Sequence, residues 1–382
     1  MDRETVGATF DGLSLVIGHR LAHPQNPLDM NRRNIHRPGL KVPLPPVTQS
    51  QPSPDLGLDD KCNMRSVDYL RKIPVAYVPT YPRRPRFFEN EPEVSVRATD
   101  LEFVEILGKG GYGVVEKMRH KETQMLMAVK RILFSSNDES QKRMLVELQA
   151  CKKSQFCQFM VRFYGAMFRD GDVWICMEVM DTSLDKFYRR CFEKGRSMPE
   201  AFIRRTALSV IEGLNFMKEE INLIHRDVKP SNILLNKQGC IKICDYGISG
   251  VLTNSLAKTV NAGCKPYMPP ERIEGDSKDS YDVRADVWSL GITLIEIATG
   301  SHPYAKWRTP FDQLRQVVNE PPPTVPQELG FSHEFHDFVS GCLTKTVHER
   351  PKYQQLLQHP FITATDDFFD SGAFVREILA DP

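Results

Sequence analysis

Apolar positions divide the chain into two textures. From residue 101 onward, segments 101–107, 114–118 and 126–132 carry strand-length apolar patterns separated by turn formers. Segment 140–151 then has helical spacing, and 173–177 is a further apolar strand behind the Arg169-Asp170-Gly171-Asp172 turn. Beyond Leu184 a helical period takes over and predicts helices over 200–218, 283–298, 311–318, 334–342 and 353–357. Segment 287–298 is apolar nearly all round, which predicts a helix buried on every side. Strands first and helices afterwards imply an α+β, two-lobed body with a cleft suited to a nucleotide.

The first 100 residues show neither period. They hold 13 of the 27 prolines. Runs such as Pro43-Leu44-Pro45-Pro46 and Tyr81-Pro82-Arg83-Arg84-Pro85-Arg86 cannot build a packed core, so 1–100 reads as a disordered tail or linker. The 382 residues are 41% hydrophobic and 26% charged, ordinary for a globular protein. A net charge of +1 gives no global pull toward nucleic acid or membrane. No apolar run approaches the length of a bilayer span, and 13–17 is too short and too close to Asp11 for a secretory core. Nine cysteines without metal-ligand spacing point to free thiols in a reducing cytoplasmic or nuclear compartment.

The chemistry concentrates between Gly108 and Asp245. Gly108-Lys109-Gly110-Gly111-Tyr112-Gly113-Val114-Val115 lies between two predicted strands, where glycines let backbone N–H groups approach phosphate oxygens. A dinucleotide fingerprint would need a helix next. Here a strand follows, so the loop reads as a hairpin over phosphates. Lys130, on the next strand, can reach the α- and β-phosphates. Glu147 lies in the apolar run Met144-Leu145-Val146-Glu147-Leu148, which favours an inward-facing partner for Lys130, with Glu139 as a second candidate. Asp227 can orient a substrate hydroxyl. Asn232 and Asp245 can chelate Mg²⁺, which needs few protein oxygens once phosphate supplies the rest.

Taken in order, His225-Arg226-Asp227-Val228-Lys229-Pro230-Ser231-Asn232 and Asp245-Tyr246-Gly247 resemble the catalytic signature of protein kinases. The resemblance covers 101–361. Pro269-Pro270-Glu271 matches the end of the activation segment, Asp286-Val287-Trp288 the start of the central helix, and Arg350 the arginine that pairs with that glutamate. It implies a bilobal kinase fold, with a small β-rich lobe and a large helical one. ATP would lie against Leu107 to Val115, Lys130, Glu147, Met177, Glu178 and Met180. Lys229, two residues after Asp227, fits hydroxyl-directed kinases, and its charge can neutralise the transferring group.

The activation segment narrows the resemblance. Ile248-Ser249-Gly250, Ser255-Leu256-Ala257-Lys258-Thr259 and Ala262-Gly263-Cys264-Lys265-Pro266-Tyr267-Met268 resemble MAP kinase kinases, most closely the branch that activates p38-type stress-activated MAP kinases. The resemblance implies phosphorylation of both Thr and Tyr in a TxY loop. It also implies activation by an upstream MAP kinase kinase kinase at Ser255 and Thr259, whose phosphates Arg226 can bind.

Arg32-Arg33 with Leu40-Lys41-Val42 resembles the docking peptide of these kinases, and 362–382 their C-terminal docking segment. There Phe374, Val375, Ile378 and Leu379 share one helical face behind Asp370 or Ser371 as cap. That face could equally pack on the large lobe. Tyr246 stands where the family has Phe, Pro269 where Ala is common, and Gly111 and Asn261 where relatives often have Ala and Asp. Segment 63–93 is extra sequence. A pseudokinase scaffold and an ordinary Ser/Thr kinase remain the alternatives.

Overall fold

The structure is a computed structural model that describes residues 96–110, 113–133, 151, 153–154, 156–169, 172–245, 267–274, 282–304, 310–365 and 369–380. The tail with Arg32, Arg33, Leu40 and Val42 lies outside the described residues. So do Gly111, Tyr112, the segment with Glu139 and Glu147, and the segment with Tyr246, Ser255, Thr259 and Asn261. The chain divides into two compact units. One takes residues up to Gly108, Gly113–Leu133 and Tyr164–Cys176, and the other takes the remainder.

The first unit is built on β1 (Leu101–Gly110), β2 (Gly113–His120), β3 (Leu126–Leu133), β4 (Phe163–Arg169) and β5 (Asp172–Met177), paired in the order β1-β2-β3-β5-β4. Period-two alternation sends Met127 and Val129 to the core with Leu101, Met118, Trp174 and Cys176. Ala128 and Lys130 therefore share the other face of β3. In the antiparallel β2–β3 register Val115 sits opposite Lys130. The guanidinium groups of Arg131 and Arg169 lie 5.0 and 5.4 Å from the Trp174 ring, and Arg131 also holds Asp172 at 3.0 Å.

The second unit opens with β6 (Thr182–Ser183), α1 (Leu184–Glu193) and α2 (Glu200–Phe216), followed by β7 (Ile233–Leu235) and β8 (Ile241–Ile243). It continues through α3 (Pro270–Glu274), α4 (Arg284–Thr299), α5 (Pro310–Asn319), α6 (His333–Cys342), α7 (Tyr353–Leu357), α8 (Pro360–Thr363) and α9 (Ser371–Leu379). Strands β6, β7 and β8 form a small antiparallel sheet.

Local chemistry sets many of the helix ends. Ser183, Ser332 and Asp370 cap α1, α6 and α9 by accepting the N–H of Lys186, Phe335 and Ala373. Helix α4 stops at Gly300, which adopts φ +76°. It is buried on all sides from Ala285 to Ala298, as its apolar sequence predicts. Helix α2 ends at Phe216, short of the expected 218. The chain widens into a π turn over Met217–Ile221 and halts at Asn222, whose short polar side chain tolerates φ +56°.

The apolar face of α9 is used inside this unit. Phe374, Val375 and Ile378 are buried, and the Phe374 ring lies 5.6 Å from Phe187 of α1 and 5.2 Å from Phe202 of α2. Packing on the helical unit, one of the two expectations for this face, describes these three side chains. Leu379 is half-buried.

Candidate active site

The candidate phosphate loop lies between β1 and β2, and β2 starts at Gly113. This residue has φ +141°, and a Cβ there would stand 1.9 Å from the Arg131 carbonyl oxygen, so only glycine fits. Lys130, 6% exposed, is a buried cation on β3 opposite Val115. Leu107, Gly108, Val114 and Val115 are half-buried and Lys109 is exposed.

In the second unit the candidate catalytic loop runs between α2 and β7 and hangs on a carboxylate from the core. Asp286, near the start of α4, has no exposed surface. It accepts the N–H of His225 at 2.9 Å, the N–H of Arg226 at 2.7 Å and the Tyr353 hydroxyl at 3.2 Å. Burial beside Asp286 pushes the Tyr353 phenol well above its ordinary value, so it stays a donor. These bonds hold Arg226 at φ +67°, a conformation that side chains rarely adopt. The Arg226 carbonyl also accepts from Arg272 of α3 at 3.3 Å. The His225 ring is buried and reaches the Cys244 carbonyl at 2.9 Å, tying the loop to the chain just before Asp245.

Asp227 is 9% exposed. Lys229 Nζ and Asn232 Nδ2 each stand 2.8 Å from its Oδ2, and Asn232 Nδ2 also reaches the Asp227 carbonyl at 2.8 Å. The carboxylate is thus oriented through one oxygen, and Oδ1 carries neither bond. That edge can accept a hydroxyl proton, while Lys229 sits beside it as a counter-charge.

Asn232 and Asp245 are joined through the backbone, since Cys244 N–H donates to the Asn232 carbonyl at 3.0 Å. They form the two ends of the β7–β8 hairpin. Because the Asn232 amide NH₂ is committed to Asp227, its oxygen is the end left to face a cation. Asp245 is exposed and held at φ +59°. One amide oxygen and one carboxylate suit a magnesium ion that also takes phosphate oxygens.

Outside the loop, Arg350 is wholly buried and bidentate to Glu271, at 2.8 and 3.1 Å, with its guanidinium 5.1 Å from the Trp288 ring. This is the pairing expected from sequence. Met177, Glu178 and Met180 stand at and beyond the end of β5. The Glu178 carboxylate is engaged by Arg162 N–H and Lys242, and its own N–H by the Arg162 carbonyl, which leaves its backbone carbonyl as the part able to meet a nucleotide. Burial pushes the Cys157 and Cys176 thiols up to about 12 and Cys191 to about 11, so they are inert packing groups.

Residues 101–362 match the protein kinase domain family. The chain is 57% identical over 354 residues to the dual specificity mitogen-activated protein kinase kinase sek-1 of Caenorhabditis elegans, covering 92% of this chain and 98% of that one. It is 44% identical over 284 residues to dual specificity mitogen-activated protein kinase kinase 7 of Homo sapiens, covering 74% of this chain and 67% of that one. The chain is a protein kinase of the MAP kinase kinase family.

This kinase has the bilobal kinase fold, with its β-sheet in the N-terminal region and its helices in the C-terminal region. ATP is its phosphoryl donor. Of its supporting residues, Asp286 was matched from sequence as the start of the central helix without a role, and Glu296 was not singled out. Asp286 and Glu296 are acids at the start of, or inside, the apolar run that forms α4, the same argument that marked Glu147. Glu296 is 2% exposed and accepts the hydroxyls of Tyr188 at 2.6 Å and Tyr267 at 2.5 Å.

Proposed function

We propose that this kinase transfers the γ-phosphoryl of ATP to both Thr and Tyr of the TxY loop of a p38-type MAP kinase, with Mg²⁺ held by Asn232 and Asp245. An upstream MAP kinase kinase kinase switches it on at Ser255 and Thr259. The observation that carries this reading is the match to sek-1, named a dual specificity MAP kinase kinase, over 98% of its length. The activation-segment sequence from Ile248 to Met268 supports the p38-type branch. Asp227 and Lys229 support the chemistry, because a carboxylate oriented through one oxygen can accept either an aliphatic or a phenolic hydroxyl. Magnesium supplies charge neutralisation on the phosphates when bound.

Arg32, Arg33, Leu40 and Val42 tether the MAP kinase and raise its effective concentration at the active site. The enzyme works in a reducing compartment, the cytoplasm first and the nucleus as the second candidate, in keeping with cysteines that form no disulfide among the described residues. The test uses full-length protein with Ser255→Asp and Thr259→Asp, offered inactive stress-activated and growth-type MAP kinases side by side. Phosphate on both TxY residues of the p38-type substrate is expected. Preference for another MAP kinase would overturn the branch, and Thr-only transfer would favour an ordinary Ser/Thr kinase.

A further inference from the structure

The chain passes between the two compact units at Phe163/Tyr164 and again at Cys176/Met177. Arg162 and Glu178 stand just outside these two points, both on the side of the helical unit, and they bind each other in both directions. Arg162 N–H donates to Glu178 Oε1 at 2.6 Å, and Glu178 N–H donates to the Arg162 carbonyl at 3.0 Å. Lys242 Nζ reaches the same Oε1 at 2.5 Å. Both charged side chains are largely buried, 15% exposed for Lys242 and 17% for Glu178.

Lys242 is the middle residue of β8, three residues before Asp245. That strand is bonded in turn to the segment that ends in Arg162. Ile243 N–H donates to the Phe159 carbonyl at 2.9 Å, and Val161 N–H donates to the Ile243 carbonyl at 2.9 Å. A closed circuit results, from Lys242 through Glu178 and Arg162 back to β8. A solvated surface pair would fix little. A near-buried carboxylate that takes an ammonium and a backbone N–H on one oxygen has one good position, and losing one partner leaves the other buried and unpaired.

We propose that Lys242 is a positioning residue for nucleotide binding. Through Glu178 it holds the backbone of the segment leaving β5, and through β8 it sets the strand that delivers Asp245. This rests on the assignment of Met177, Glu178, Met180 and Asp245 to the nucleotide site. Lys242 itself touches neither base nor phosphate. Its role is to keep two separate stretches of that site in one frame.

The test compares full-length wild type, Lys242→Met and Lys242→Arg by calorimetric titration with ADP, with and without Mg²⁺, alongside KM for ATP, kcat and melting temperature. Lys242→Met keeps the length of the side chain and loses its charge. It is expected to weaken ADP binding and raise KM for ATP about tenfold, with kcat at saturating ATP changed less than about twofold. Lys242→Arg should recover most of the affinity.

Unchanged ADP affinity in Lys242→Met would overturn the proposal. So would an arginine variant as weak as the methionine one, or a fall in kcat that tracks the melting temperature while KM stays put. If Lys242→Met does not fold, Glu178→Gln answers the same question, because it keeps an acceptor for Arg162 N–H and removes the charge. It should show the same rise in KM. Wild-type protein that bound no ADP at all would instead sink the assignment of the site on which the proposal stands.

Discussion

Helix α4 carries a buried carboxylate near each end, and the two are used differently. Asp286 accepts two main-chain N–H groups, of His225 and Arg226, and one hydroxyl. Glu296 accepts two hydroxyls, of Tyr188 and Tyr267. A backbone N–H cannot turn away without moving the chain, whereas a phenol can rotate or find water. Asp286 therefore fixes a strained catalytic loop as part of the core. Glu296 holds Tyr267, which follows the segment containing Ser255 and Thr259, by contacts that can break and re-form. The loop that carries Asp227 is held at one end of the helix, and Tyr267 is held at the other.

Removing the carboxylates should separate the two roles. Asp286→Ala strands three buried donors, at roughly 1–3 kcal/mol each. It also frees the loop that carries Asp227, where a shift of about 1 Å costs on the order of 10²-fold in kcat. Urea unfolding and steady-state kinetics on the same protein check both effects. Glu296→Ala strands two hydroxyls, at roughly 1–3 kcal/mol each. It should lower kcat/KM for the protein substrate while leaving KM for ATP near wild type. Equal damage to both substrates would erase the contrast between the two ends.

Glu296 also makes stability depend on pH. Burial raises the Glu296 carboxyl above its ordinary value, with the Tyr188 and Tyr267 hydroxyls only partly offsetting it. The folded protein therefore binds a proton more tightly here than the unfolded chain does. Stability from this group is greatest below the unfolded pKa of 4.5 and is lost as pH rises through the raised folded value. Melting temperatures of wild type and Glu296→Gln across that window should diverge, with wild type losing ground as pH rises. The smallest effect belongs to Tyr188→Phe, which removes one of the two hydroxyl bonds to Glu296 and costs about 1 kcal/mol in unfolding free energy.

The sequence announced what depends on local pattern. The three strands around the phosphate loop, the buried α4 and the short α7 were legible from period and spacing, whereas the Asp227–Asn232 set was read from its resemblance to the kinase signature. Strands β6, β7 and β8 were not, because two or three residues are too few to show a period. Helix α1 went undelimited, although Ser183 is a good cap. The π turn at Met217–Ile221 obeys no simple spacing rule. Least legible were partnerships between residues distant in sequence. Nothing near Asp286 says that it will hold His225 and Arg226, 61 and 60 residues away. Nothing near Glu178 names Lys242.

The central claim is that the loop hung on Asp286 performs dual-specificity transfer. It is tested most directly by mapping phosphate on a kinase-dead p38-type MAP kinase after reaction with the Ser255→Asp, Thr259→Asp protein, beside the same protein carrying Asp227→Asn. The account predicts phosphate on both the Thr and the Tyr of the TxY loop, falling by about 10² to 10⁴-fold in rate with Asp227→Asn. Phosphate on neither residue, or equal labelling with and without Asp227, would contradict it.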